Sequence, residues 1–574
     1  MLKEASKQFL RKSKAILLIL TGAITWSLTM VRSGLCWNTG CTDGLGFWGA
    51  NGHDGIWHIA LINSLSKGDF QVPIFSGWNI QNYHLGFDIL LSWISKLSRI
   101  PPSTLYFQIT PPILALLIGI LTYKFVYLWR KSENESLWAV FFIYFGGSFG
   151  WLISLIRGQG WGGESMFWSQ QSISTLINPP FALSLITILM GLIFLVKFLE
   201  KKSWPNLLLM VFFFGVSIFI KVYAGLLVLS AILGCAIWQV LRKKDFSLIP
   251  AVLLSMIISA FLFISFSKSS IGLIIFSPFW FLESMMTLTD RFGWQKMHSA
   301  MTTYRMGDIW LKAIFAYGLA FVIFIVGNFG TRLIALKSLI KMPKKLMSAG
   351  AVEVFIFIVI TAGIIVPTFF VQKGTPWNTI QFFYYSLTFT GIVAGIEASK
   401  LIKKLSFFNK SLMIIFLVLL TLPTTIASMG HYFPGNPQSI LPDNEKVALN
   451  FLSKEEKGIV LTYPFDAKKS AEAKAPRPLY LYTSTAYISA FSGQPVFLED
   501  QINLDIMQYP WQERRILIEN FIETLDIENA KSFIKDNNIK YIYWLEDQHA
   551  RIGDKELGLT RIFYQNGVSI FRVD

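Results

Sequence analysis

The stretch Gly52-His53-Asp54-Gly55-Ile56-Trp57-His58 sets a carboxylate between an imidazole and a glycine, just after the first apolar run of a mostly apolar chain. A carboxylate in that setting can take a proton from a hydroxyl as the hydroxyl attacks, and a neighbouring imidazole can orient it or share the proton. Holding such groups beside a bilayer is costly, which makes Asp54 and His53 functional candidates by default. If a second carboxylate is needed, Asp43, Glu164, Glu283 and Asp290 lie in other polar loops, and nothing local chooses among them. Cations that could meet a phosphate are Lys221, set between two apolar runs in Phe219-Ile220-Lys221-Val222-Tyr223, and then Arg291, Arg305 and Lys373. His58, Tyr83, His84, Trp377, Asn378 and Gln381 are the side chains best suited to contact a polar substrate.

Each residue also has a plainer reading. Asp54 could do no more than cap a helix starting near Ile56. Lys221 could snorkel to headgroups, and Trp377 could belong to an interfacial aromatic belt. Asp290 and Arg291 could form a local ion pair. His53, His58 and His84 share one loop, but their spacing matches no standard metal pattern, so ordinary hydrogen bonding is the expectation.

The elements that must position these residues follow from composition. The 574 residues are 53% hydrophobic and 15% charged, with a mean hydropathy of +0.49. Several apolar runs approach the length needed to cross a hydrocarbon core. The net charge of +16 divides unevenly: residues 1–439 hold 35 Lys and Arg against 15 Asp and Glu, and residues 440–574 hold 16 against 20. The basic excess therefore belongs to membrane loops, and no nucleic-acid partner is expected.

The pattern predicts about eleven spans, at Ala15–Met30, Thr104–Trp129, Leu137–Ile156, Phe181–Phe198, Pro205–Ile220, Val222–Leu241, Phe246–Phe266, Ile309–Gly330, Ala351–Val371, Ile380–Ala398 and Ser411–Met429. With the Lys-rich N-terminus cytoplasmic, the short even loops carry Arg130-Lys131, Lys201-Lys202, Arg242-Lys243-Lys244, Lys337 to Lys345 and Lys400 to Lys410. Basic residues then gather on the cytoplasmic side, as the positive-inside rule requires, and the C-terminal tail lies outside. The first span has the basic and apolar regions of a signal peptide but no clear small-residue cleavage pattern, so a retained helix is expected.

The long loops face outward on this topology. The first, residues 31–103, holds Asp54, an amphipathic stretch Ile56–Leu65 and a short helix Leu85–Leu97 carrying Asp88 and Lys96, expected to lie along the interface. Cys36 and Cys41 in this loop could pair in an oxidising compartment, and Cys235 sits inside a span. The second loop is Arg157–Pro180, the third Ser267–Asp308, and the fourth a short turn from Gln372 to Asn378. From about Pro442 the composition becomes that of a soluble α/β domain. Helices are expected at Glu445–Leu452, Pro510–Thr524 and Ile527–Asn537, and strands at Gly458–Tyr463, Tyr541–Leu545 and Leu559–Tyr564. Asn566-Gly567 then turns the chain into a final strand, Ser569–Val573. This domain has no nucleotide loop, metal spacing or nucleophile elbow, and reads as a substrate-shaping or docking cap.

One helix, a long external loop with an acid near its start, the patterns Asp-Gly-x-x-His, Lys-Gly-Asp-Phe and Tyr-His-Leu-Gly-Phe-Asp-Ile-Leu-Leu, ten further helices and an external tail together resemble the GT-C superfamily of integral membrane glycosyltransferases. That superfamily includes protein mannosyltransferases, aminoarabinose transferases and oligosaccharyltransferases. The resemblance implies a polytopic α-helical membrane protein with a GT-C-like transmembrane domain over residues 1–439 and a soluble extracytoplasmic α/β domain over 440–574. It further implies transfer of a sugar from a polyprenyl-phosphate donor to a glycan, lipid or protein acceptor on the external face of a cell membrane, in a cell-envelope pathway. Asp54 would match the family's first-loop acid, which acts as a base or helps to hold a metal; the implied ion is a divalent cation, Mg or Mn. Many relatives place a second acid beside the first, where this chain has His53. Two other classes stay open: a multi-pass transporter of a lipid or envelope precursor, and a non-catalytic assembly protein. Span centres nearly free of charge and the lack of an internal repeat speak against transport.

Overall fold

In the computed structural model of the protein, the described residues are 2–264, 274–345, 348–545 and 547–574. The chain forms two compact units. One comprises residues 2–29, 112–264 and 274–430; the other joins residues 30–111 to the C-terminal region from 431 onward. The soluble composition begins near residue 440, yet the packing unit around it also takes in the first loop.

The first unit is a bundle of apolar helices. Among the described residues, seven helices are long and apolar enough to cross a membrane: Pro102–Arg130, Pro179–Glu200, Val222–Lys243, Trp310–Lys345, Ala351–Phe369, Pro376–Lys403 and Phe407–Tyr432. The pair Glu133–Phe145 and Gly150–Ile156, bent by 48°, passes the same test jointly, and Ser13–Ser27, Trp204–Ile220 and Ile249–Ile264 are shorter apolar helices. Each expected span thus coincides with a helix or a bent pair; the end of the seventh span and the start of the third external loop, at 265–273, lie outside the described residues. The protein is a multi-pass helical membrane protein.

The bend is built rather than loose. In hydrocarbon, every freed backbone group needs a partner. Phe149 donates its N–H to the Gly327 carbonyl at 2.8 Å, Ser172 donates to Gly146 at 3.2 Å, and the Thr424 hydroxyl donates to the Ser148 carbonyl at 2.9 Å. A second break lies at Lys221, which is extended (φ −155°, ψ 116°) between Trp204–Ile220 and Val222–Lys243.

In the second unit, Leu35–Cys36, Leu45–Phe47, Ser439–Leu441 and Arg477–Pro478 form a four-stranded sheet that ties the first loop to the C-terminal region. Cys36 and Cys41 are disulfide-bonded beside it. A second sheet, in the order Ile459–Thr462, Ile539–Leu545, Val568–Val573, Leu559–Gln565, carries the C-terminal strands where the sequence predicts them. Its hairpin turns at Asn566-Gly567, both with positive φ, as that dipeptide favours. Helices Asp443–Leu452, Trp511–Glu523 and Ile527–Asp536 also match expectation.

Two first-loop helices depart from or refine their expected character. The stretch expected to be amphipathic, Ile56–Leu65, belongs to a helix Asp54–Ser66 whose residues are buried from Gly55 through Ile62 and again at Leu65. It lies inside the unit because packing closes over both of its faces. The helix Gly86–Ser98 does have two faces: Phe87, Asp88, Leu91 and Ser92 are buried, while Leu90, Trp93, Ile94 and Leu97 form an exposed apolar stripe. That spacing is the signature of one helix face.

Candidate functional site

Asp54 is the first residue of the helix Asp54–Ser66, and the cap position is His53, with no side-chain cap bond. The N-cap reading of Asp54 is therefore corrected. Its carboxylate is half-exposed and instead accepts a hydrogen bond from His53 Nδ1 at 2.8 Å. His53 Nε2 lies 3.2 Å from Oδ1 of Asp500, whose side chain is fully buried. An ionised carboxylate only accepts, so two carboxylate partners require both ring nitrogens to carry protons. His53 is thus an imidazolium bridging Asp54 and Asp500. Burial alone would push its pKa down, but the two carboxylates, Asp500 foremost, outweigh it and raise the value to about 10.

Local sequence explains how this geometry is reached. Gly52 and Gly55 flank the pair because neither position has room for a side chain. A Cβ at Gly52 would collide with Ser439 Oγ and the Tyr482 ring, and one at Gly55 would sit 2.6 Å from the Phe107 ring. Asp500 is itself held in the left-handed region (φ 44°) as the cap of the helix Gln501–Met507, accepting from Asn503 N at 3.2 Å and Asn503 Nδ2 at 2.7 Å. A non-glycine residue in that conformation stores strain, which the Asn503 bonds and the His53 contact offset.

Below the Asp54 turn, His58 is 5% exposed and its Nδ1 is 2.7 Å from Oδ1 of the fully buried Asp88. Its ring stacks on Tyr106 at 5.4 Å. Its place is interior, where it braces the helix. Tyr83 stacks on His84 at 4.6 Å and meets Trp57 edge-on at 5.7 Å, and burial pushes its hydroxyl pKa up. Asp43 accepts from Asn38 Nδ2 near the disulfide.

The remaining candidates belong to the other unit. Lys221 is 4% exposed at its helix break, with Nζ 3.5 Å from Asn178 Oδ1 and 5.6 Å from the Tyr223 ring. It is enclosed, not snorkelling. The Tyr223 hydroxyl donates to Gln372 Oε1 at 3.0 Å, so the break adjoins the fourth loop. There Lys373 and Trp377 are exposed, Asn378 Nδ2 donates to Thr375 Oγ1 at 3.3 Å, and Gln381 opens the helix Gln381–Lys403. Lys221, Lys373, Trp377, Asn378 and Gln381 are thereby gathered in one region. Glu164 accepts from Gln171 N–H at 2.8 Å and from the Ser428 hydroxyl at 2.6 Å, which ties down the second loop. Arg291 lies over the Trp168 ring at 4.5 Å, donates to Ser165 Oγ at 3.2 Å and pairs with the exposed Asp290 at 3.6 Å. Arg305 and the Tyr317 hydroxyl both donate to Glu283.

Asp500 and the buried Arg332 escape a sequence reading. Arg332 is 1% exposed and donates to Gln171 Oε1, the Asn328 carbonyl at 2.9 Å and the Phe329 carbonyl at 3.2 Å, all neutral acceptors. Asp500 lies 447 positions from His53 and has only a helix-capping pattern to mark it.

The residues around Asp54 do not make a metal site by themselves. Among the described residues, no group of three or more His, Cys, Asp or Glu could hold an ion. The space between the two carboxylates that could share one is filled by the His53 ring, so no step below passes through a metal.

The chain has a GT-C fold. The chain is similar to the oligosaccharyltransferase of Archaeoglobus fulgidus in two crystal structures. In one, with a tethered acceptor peptide containing the NVT sequon, the TM-score is 0.50 at 12% identity, over 93% of this chain and 69% of that one. In the other, with Zn and sulfate, the TM-score is 0.52 at 12% identity, over 92% and 67%. The arabinofuranosyltransferase AftD from Mycobacteria is similar at a TM-score of 0.45 and 12% identity, over 92% of this chain and 40% of that one. No family model matches the sequence, and no curated protein does.

One pH effect follows from the bridge. The folded pKa of His53 lies above its ordinary value, so its contribution to stability is complete below about pH 6.5 and is lost as pH rises toward about 10. The difference in unfolding temperature between wild type and His53→Gln is expected to shrink over that window. A difference independent of pH would remove the imidazolium from the site.

Proposed function

We propose that the protein is a membrane glycosyltransferase that moves a sugar from a polyprenyl-phosphate donor to a hydroxyl acceptor, with Asp54 as the base. The observation that carries this reading is the half-exposed Asp54 carboxylate, fixed at the first turn of a buried helix by an imidazolium whose second nitrogen is anchored to buried Asp500. The GT-C fold supports it.

In this mechanism the acceptor oxygen attacks the anomeric carbon as the bond from that carbon to the phosphate oxygen breaks. The electron pair leaves with the polyprenyl phosphate, the acceptor proton passes to Asp54, and the anomeric centre inverts. His53 holds Asp54 against the charge change, and Asp500 fixes the ring, so both are positioning residues. Within the helical bundle, the cation best suited to a phosphate is Lys221, an enclosed ammonium with little screening. Arg291 and Arg305 are already engaged with protein partners, and Lys373 is exposed beside the fourth loop. The N-terminus is placed in the cytoplasm and the C-terminal region outside, on the charge pattern of the loops.

The test is transfer of radiolabelled sugar from a panel of polyprenyl-phosphate hexoses and pentoses by the purified full chain in lipid nanodiscs. It is run with added Mg or Mn and with a chelator. Turnover with at least one donor is expected. A folded protein that transfers from none of them would move the assignment toward transport or scaffolding.

A further inference from the structure

Asp500 also lines a cleft in the C-terminal region that the proposed reaction does not use. We propose that this cleft binds a neutral saccharide and is where the sugar acceptor docks. The acceptor role rests on the transfer reading; the binding does not.

Three kinds of side chain support this assignment. The rings of Tyr463, Phe465 and Tyr480 line the cleft, and Tyr463 is braced edge-on by Trp544 at 6.1 Å. Aromatic faces are electron-rich and suit the C–H face of a sugar ring. Between them the wall presents Thr483, Gln501 and Gln548, whose hydroxyl and amide groups match a polyol's mixture of donors and acceptors. Finally, Thr485 lines the cleft at 4% exposure, and its hydroxyl has no hydrogen-bond partner among the described residues. A buried hydroxyl left so is costly unless a ligand completes it.

Charge selects the ligand class. Lys469 is paired with Asp547, and Asp466 caps the helix Ala467–Glu472 through the N–H groups of Lys468 and Lys469. Asp500 is balanced by His53. Burial raises the pKa of Glu499 to about 8, and its carboxyl is held by the N–H groups of Ile488 and Ser489. Among the described residues of the wall, the one cation, Lys469, is already paired, which disfavours a phosphate or an acidic sugar. Asp500 stands in this wall and also holds the His53–Asp54 pair, so an occupant of the cleft lies beside the residue that anchors the base.

The experiment titrates the full chain in nanodiscs with methyl glycosides and short linear oligosaccharides of hexoses and pentoses, and with a sugar phosphate and an uncharged peptide as comparators, by calorimetry. At least one neutral saccharide is expected to saturate. Tyr480→Ala and Thr485→Val are each expected to weaken it about tenfold, or about 1.4 kcal/mol, with unchanged thermal unfolding. Absence of saturable sugar binding overturns the assignment, as do variants that bind like wild type or tighter binding of the peptide or the sugar phosphate. Saccharide binding by a protein that transfers nothing would keep the cleft and sink the transfer reading. Transfer with an acceptor KM unmoved by both variants would overturn the cleft alone.

Discussion

Asp54→Asn is expected to lower turnover by about a thousandfold while leaving donor binding close to that of the wild type. Positioned proton acceptors contribute roughly 10²–10⁴ in rate, and Asn has nearly the same shape without the capacity to take a proton. The Asp54 carboxylate is half-exposed, so the variant should fold and the loss should fall on kcat. Asp500→Asn is expected to act differently. It removes one charge from His53 and lowers the imidazole pKa, a shift that NMR of the labelled ring would read directly and that a merely structural Asp500 would not cause. Equal turnover by wild type and Asp54→Asn would transfer the base to another carboxylate, and Asp43 would be the next to replace.

Asp88→Ala should be among the most destabilising single substitutions in the second unit. Asp88 is fully buried and His58 is 5% exposed, 2.7 Å away. Removing one partner of a buried hydrogen bond costs about 1–3 kcal/mol, more when a charged group is involved, because the other is left in the interior without it. The stranded ring would be His58, stacked on Tyr106 and flanked by Phe87 at 5.8 Å. Thermal unfolding in detergent should show a large downward shift, while Asp88→Asn, which keeps an acceptor, should cost less. A loss below about 1 kcal/mol would mean that the pair is no stronger than a surface contact.

Much of this architecture was legible in the residues. Each apolar run of membrane length became a helix, because hydrocarbon leaves the backbone few alternatives. The C-terminal strands were marked by alternation and by Asn566-Gly567, whose turn conformation is a local property. Asp54 was legible too, as a charge with no evident packing role. Its partnership was not. Asp500 reaches His53 across 447 positions, and a contact of that range leaves no periodicity to read. The helix Asp54–Ser66 misled for a related reason. Its polar positions suggested a solvated face, but His58 is satisfied internally by Asp88, so the whole helix could be buried. Lys221 showed its two apolar neighbours in sequence and concealed the helix break that encloses it.

The bridge from His53 to Asp500 also sets a clock on biogenesis. The ribosome delivers these two residues 447 positions apart, an interval of roughly 20–90 s at about 5–20 residues per second. Throughout that interval the nascent first loop carries its acid without an anchor. The His53 bridge is therefore complete only after Asp500 has been made, and a chain terminated before that residue would carry Asp54 beside an imidazole without its second anchor.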